Sequence, residues 1–262
     1  MKKEDERTNT NWASVAAAGG TILGLLALAT MFFIPTTRAN SPGAPNVIDR
    51  DSVAYGRTYG EWSAAWWQWA FSIPVASHPL FDNGDCSVGQ SGAVWFLGGK
   101  FCQVGQICSG SATRSCSVPA GKALYFPILN VEDSAPEEPR FGCGDSLPPL
   151  VAGTIAEMRL CDELVMDGTH DMSAEIDGVA VPDVQNRFRV QSSAFGITLP
   201  KDNLLNAIGE GPFPKGTSFP TVDDGVYLML SPLPPGTHVL QFQGTFSSGF
   251  TESITYNLSV GK

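Results

Sequence analysis

From Ser173 onward apolar and polar side chains alternate with a period of two, the spacing of half-buried strands. In THVLQFQGTF, His238, Leu240 and Phe242 share one face, as do Ile254, Tyr256, Leu258 and Val260 in ESITYNLSV. AEIDGVAV adds a hairpin, because Asp177-Gly178 supplies the two left-handed positions of a tight turn between alternating residues. RFRVQSS and GVYLMLS read as further strands, and PLPPG supplies turn chemistry before Thr237. Several short strands of this kind predict a C-terminal antiparallel β-sandwich over 173–262, of jelly-roll or immunoglobulin-like type.

The pattern upstream is different. Tyr55–Phe71, YGRTYGEWSAAWWQWAF, contains no proline, has Asp51 or Ser52 as an N-cap and meets Pro74 soon after, which predicts a helix. At about 100° per residue, Tyr55, Tyr59, Trp62, Trp66 and Trp69 fall on one stripe, the expected core face. Trp67 falls well round the helix, beside the polar strip of Arg57, Glu61, Gln68 and Ser72. An exposed tryptophan next to hydrogen-bonding groups is how sugars and quaternary ammonium ions are held. Trp67, Arg57, Gln68 and Asn130 are therefore the candidate ligand-binding residues. The plainer alternative packs Trp67 under the glycine-rich loop and pairs Arg57 with Glu61 at i, i+4.

Between these regions AVWFLGG and KALYFPIL are strand-like runs within a loop-rich stretch, and VDDG (Val222–Gly225) reads as a turn. NVEDSAPEEPRFGCGDSLPP reads as an acidic, proline-rich surface loop. Val151, Ile155, Met158 and Leu164 mark a second helix ending before Gly168. The chain is thus expected to be α+β. Residues 1–39 form a signal peptide or membrane anchor, 40–172 a Trp-rich helix and six-Cys region, and 173–262 the sandwich, the last two alternatively one continuous domain.

The charge-free run Val15–Ile34 suits an export signal cut after Ala39, or an uncleaved span if the chain stays anchored. Removing residues 1–39 leaves a body of formal charge −11, which repels nucleic acid and leaves the membrane accessible only through the N-terminal segment. An exported chain meets an oxidising compartment, secreted or periplasmic, so Cys86, Cys102, Cys108, Cys116, Cys143 and Cys161 are expected to form three disulfides, in a pairing the sequence leaves open. Their irregular spacing and three scattered histidines argue against a zinc site, and no cofactor is expected. The acidic turns DNGD (Asp82–Asp85) and VDDG either hold structural calcium or are ordinary Asx turns.

For catalysis, Glu132 and Asp133 follow an apolar run, where a strand end presents general acid/base groups, with Glu61 as a remote partner. GQSGA around Ser91 lacks the second glycine of a nucleophile elbow and a preceding strand. GDSL and DGTH stand too close together to bracket a hydrolase domain.

The segments YGEWSAAWWQWAFSIP, GQSGAVWFLGG, VPAGKALYFPILN and DGVYLMLSPLPPGTHVLQFQG resemble segments of exported bacterial proteins without an assigned activity. The resemblance implies export and a shared fold and carries over no catalytic residue. The expected function is a non-catalytic, ligand- or surface-binding role, toward carbohydrate. The alternatives are a secreted hydrolase using paired carboxylates, and a structural component of the cell envelope.

Overall fold

A computed structural model describes residues 47–135 and 153–261. The aromatic helix α1 spans Tyr59–Ser72, four residues shorter at its start than the ring pattern predicted. Tyr55 and Gly56 adopt left-handed φ values of 52° and 83°, which turn the chain before the helix can begin. The cap is Thr58, not Asp51 or Ser52. The Thr58 hydroxyl accepts from the Glu61 amide (3.3 Å), and the Glu61 carboxylate accepts from the Thr58 amide (2.7 Å), which is a capping box. Tyr55 consequently leaves the stripe and stands exposed.

Two five-stranded sheets and four helices make up the described residues. In the first sheet β1 (Val94–Phe96), β3 (Ala123–Ser134), β8 (Ser218–Leu230) and β6 (Arg189–Gln191) follow in that order, and β7 (Phe195–Thr198) also pairs with β8. The second runs β2 (Ser111–Val118), β10 (Thr251–Val260), β9 (Gly236–Thr245), β4 (His170–Ile176), β5 (Val179–Ala180). The C-terminal strands pair with one another antiparallel, as expected, but they do not make the sheets alone: β3 joins β8 antiparallel, β2 joins β10 in parallel, β1 joins β3 in parallel, and strands from both sides of residue 172 share each sheet. The Asp177-Gly178 hairpin forms as expected, at φ 52° and 78°.

The sheets meet through side chains of β3 and β9. Phe126 stacks on Phe242 at 5.2 Å between ring centroids, and Leu129 lies so close to Gly244 that a Cβ there would sit 2.7 Å from it. The inward residues of β10, Ile254, Tyr256, Leu258 and Val260, are all buried. α1 packs against β3, β6, β7 and β8. Helix α2 (Ile155–Asp167), capped by Thr154, lies on β3 and β8, while α3 (Val184–Arg187) and α4 (Leu204–Ile208) are single turns.

Two segments read as surface turns or loops are strand. Asn130–Ser134 continue β3, and Val222–Gly225 lie in the middle of β8, fully buried. Their partnership explains this: Asn130–Ser134 pair residue by residue with Gly225–Thr221, so each segment supplies the other's backbone hydrogen bonds. Disulfides join Cys86 to Cys116 and Cys102 to Cys108; Cys161 is also disulfide-bonded, and Cys143 lies outside the described residues. Residues 1–39 and the GDSL tetrapeptide lie outside them as well. No helix among the described residues is long and apolar enough to cross a membrane.

Candidate functional site

The four tryptophans of α1 are built into the protein by their indole N–H groups. Trp62 donates to the Ala54 carbonyl (2.8 Å), Trp66 to Leu97 (2.6 Å) and Trp69 to Val88 (3.1 Å). Trp67 donates to the Asp223 carboxylate at 2.7 Å. Of the two readings of Trp67 the buried one holds, and the exposed ligand platform is excluded: the side chain is 4% exposed and stacks on Phe71 at 5.4 Å. The stripe argument assumed one buried face. α1 is apolar nearly all round and is covered nearly all round, leaving only Glu61, Gln68 and Ser72 exposed. Among its four tryptophans, Trp62 alone is only half-buried.

Behind Trp67 lies a chain of hydrogen bonds. The Asn130 amide donates to the Tyr227 hydroxyl (2.8 Å), and Tyr227 donates to the Asp223 oxygen that accepts from Trp67 (2.6 Å). Burial raises Asp223 to about 7, against the pull of these donors. Its second oxygen makes no hydrogen bond among the described residues, although the Ser63 hydroxyl, which donates to the Gly60 carbonyl (3.0 Å), stands close enough to help lower the carboxyl's pKa. Glu132 is the cross-strand partner of Asp223, so the two carboxyls share one face of the sheet. Burial also holds Glu132 well above the usual range, with Glu210, Asp133 and Asp223 adding to the effect.

This arrangement revises the proposed catalytic set. Asp133 follows Glu132 on β3 and so points to the opposite face. Glu61 is occupied in capping α1, where the Thr58 hydrogen bonds hold its carboxyl below its ordinary value. Glu132, Asp133 and Glu61 do not converge, and the carboxyl that does meet Glu132 is Asp223.

The four candidate ligand residues divide between two concavities. Trp67 and Asn130 line a cleft of about 170 Å³ with Phe101, Phe246, Phe250 and Glu252. Its polar atoms are largely spent: Trp67 on Asp223, the Asn130 amide on Tyr227, and the Glu252 carboxylate on the Lys100 amide. Burial lifts Glu252 to about 7. Arg57 and Gln68 line a larger groove of about 400 Å³, between α1 and the loop 89–94, with Trp62, Trp69, Ser91 and Phe96. The Arg57 guanidinium lies 5.0 Å from the Trp62 ring centroid and makes no hydrogen bond or ion pair among the described residues. Gln68 is fixed by donating to the Gly196 carbonyl (3.0 Å). No histidine or carboxylate lines this groove, so Ser91 has no base beside it.

His78 lies beneath Trp69 and Phe81, where its Nδ1 accepts from the Leu80 amide (3.1 Å) and its Nε2 faces the Ala70 carbonyl (3.0 Å). Burial lowers it to about 4, so it is a neutral structural side chain at physiological pH. In DNGD, Asp82 pairs with Arg114 (2.7 Å) and Lys100 (3.4 Å), and Asp85 accepts from the Ser87 amide (2.7 Å). In VDDG, Asp224 pairs with Arg189 (2.8 Å). Among the described residues no group of three or more His, Cys, Asp or Glu side chains is arranged to hold a metal ion.

Sequence reasoning missed Asp223 and Tyr227, because VDDG imitates a turn. The signal available was the length of the apolar run after it, GVYLML, which marks a fully buried strand rather than an edge.

No protein-family model matches the chain, and no curated protein matches it. Among solved structures, the chain is similar to one described as PbICP-C in complex with falcipain-2. The two share 10% sequence identity and a TM-score of 0.21, over 64% of this chain and 99% of that one.

Proposed function

We propose that this is an exported, non-catalytic β-sandwich protein that binds carbohydrate in the groove beside Trp62. The observation that carries the reading is the groove's composition. A half-buried tryptophan ring is flanked by Arg57, Gln68 and Ser91, an apolar face beside directional hydrogen-bonding groups. The smaller cleft is the weaker site: at about 170 Å³ it is less than half the volume of the groove, and it holds no cation free of hydrogen bonds such as Arg57. Facing sheets joined by Phe126 and Phe242 support the sandwich reading, and the disulfides suit an oxidising compartment outside the cytoplasm.

Calorimetric titration with a panel of neutral and acidic oligosaccharides tests this. Wild type should bind at least one saccharide, and Trp62→Ala, with near-ultraviolet circular dichroism confirming its fold, should lose that binding. Silence across the panel would end the carbohydrate reading. Release of reducing ends by wild type, abolished in Glu132→Gln at unchanged melting temperature, would replace it with the hydrolase. No ligand together with a stable crosslinked partner in envelope extracts would replace it with the structural role.

A further inference from the structure

Resting on that groove, we propose that its ligand carries a carboxylate: the site selects acidic saccharides, of the uronic acid class, over neutral ones. The chain as a whole is acidic, with a formal charge of −10, yet no Asp or Glu lines the groove. One cation lines it instead. Arg57 lies over the Trp62 ring with its guanidinium unpaired among the described residues. Lys122 is not part of the lining; its ammonium is bonded to the carbonyl of Gly92, a lining residue. The one carboxylate near Arg57 is Glu61, whose charge Arg57 helps to stabilise; Thr58 holds one oxygen of that carboxylate through two hydrogen bonds, and no ion pair forms with Arg57 among the described residues.

The stacking matters as much as the charge. A guanidinium held against an aromatic face keeps its planar edge of N–H donors free, and that edge matches the two oxygens of a carboxylate. A pyranose ring lying against the remaining exposed part of Trp62 would bring an exocyclic carboxylate toward this edge. A hydroxymethyl group in the same place offers Arg57 a single uncharged acceptor. Gln68 and Ser91 then serve the ring hydroxyls of either sugar and do not discriminate.

The test compares a tetramer of galacturonic acid with the corresponding tetramer of galactose, by calorimetry at low ionic strength. Wild type should prefer the uronate by about tenfold, the worth of one charge-assisted bidentate contact at a partly exposed site. The preference should shrink in ~0.5 M salt, where exposed charges are screened. In Arg57→Gln the ratio of the two affinities should fall to about one, whatever happens to either affinity alone. Equal binding of both tetramers by wild type, or a preference that survives in Arg57→Gln, overturns the inference while leaving carbohydrate binding intact. Failure to bind either tetramer, when another neutral saccharide in the panel does bind, also overturns it, and failure across the whole panel removes both.

Discussion

Replacing Asp223 with asparagine isolates the energetic cost of the buried carboxyl pair. Burial raises Asp223 from 3.8 to about 7, so the folded state holds its proton more tightly than the unfolded chain does. Below pH 4 both states are protonated and the group has no effect. As the pH rises from about 4 to about 7 the unfolded chain releases the proton first, and folded-state stability falls. Above about pH 7 the loss is complete and constant. The difference between the two states corresponds to about 4 kcal/mol across that window. Glu132 sits directly opposite on β3, so the titration belongs to the pair, and removing one charge also relaxes the other. In Asp223→Asn the amide oxygen still accepts from Trp67 and Tyr227, and the amide nitrogen replaces the oxygen that makes no hydrogen bond among the described residues. Urea unfolding of both proteins from pH 4 to 8 measures the difference. The stability of wild type minus that of the variant should fall by about 4 kcal/mol between pH 4 and 7 and stay level above that. A difference that does not change with pH, or that rises with pH, would show an ionised Asp223 stabilised by its donors and would refute the reasoning.

Further expectations follow from individual contacts. Thr58→Ala removes the capping box of α1 and should cost about 1 kcal/mol in urea unfolding, with no change in m-value. Gly244→Ala places a Cβ 2.7 Å from Leu129 between the sheets and should cost about 1–3 kcal/mol, more than the same change at Gly196, where nothing lies within 4 Å and the backbone is not left-handed. Nitrogen-15 spectra should find His78 with its proton on Nε2, since Nδ1 accepts from Leu80, and neutral down to about pH 4. Because the unfolded chain protonates this histidine near pH 6.5, its contribution to stability is lost as the pH falls from about 6.5 to 4, opposite in sign to that of Asp223.

The strands whose alternation is least interrupted were readable from the pattern alone: β9, β10 and the β4–β5 hairpin form as the alternation predicts. β2 was hidden because one of its inward positions is Arg114. That side chain is accommodated by bonds to the Gly98 and Gly99 carbonyls (3.1 and 2.9 Å) and to Asp82, and by the Tyr256 hydroxyl (2.9 Å). A charge at a core position breaks the binary pattern unless its tertiary partners are known. The Thr58-x-x-Glu61 capping box was visible in the sequence and marked the true start of α1, but the ring periodicity extended the helix past it to Tyr55. Periodicity also placed Trp67 outside, because it counts one buried face and α1 has several. Arg57 and Gln68 do share a groove, as their common polar strip suggested, whereas Trp67 and Asn130 lie in a separate cleft, a division that depends on how the loops fold around the helix.

In the proposed complex, ligand meets the protein at Trp62 and not at the buried rings beside it. Spectra of protein carrying nitrogen-15 tryptophan, recorded during titration with the tightest-binding saccharide, follow each indole N–H separately. Trp62, at the groove, should shift progressively and saturably, with a smaller movement at Trp69, while Trp66 and Trp67 stay in place. Saturable shifts at Trp67 with Trp62 unmoved would contradict the account and transfer the site to the cleft beside Asn130.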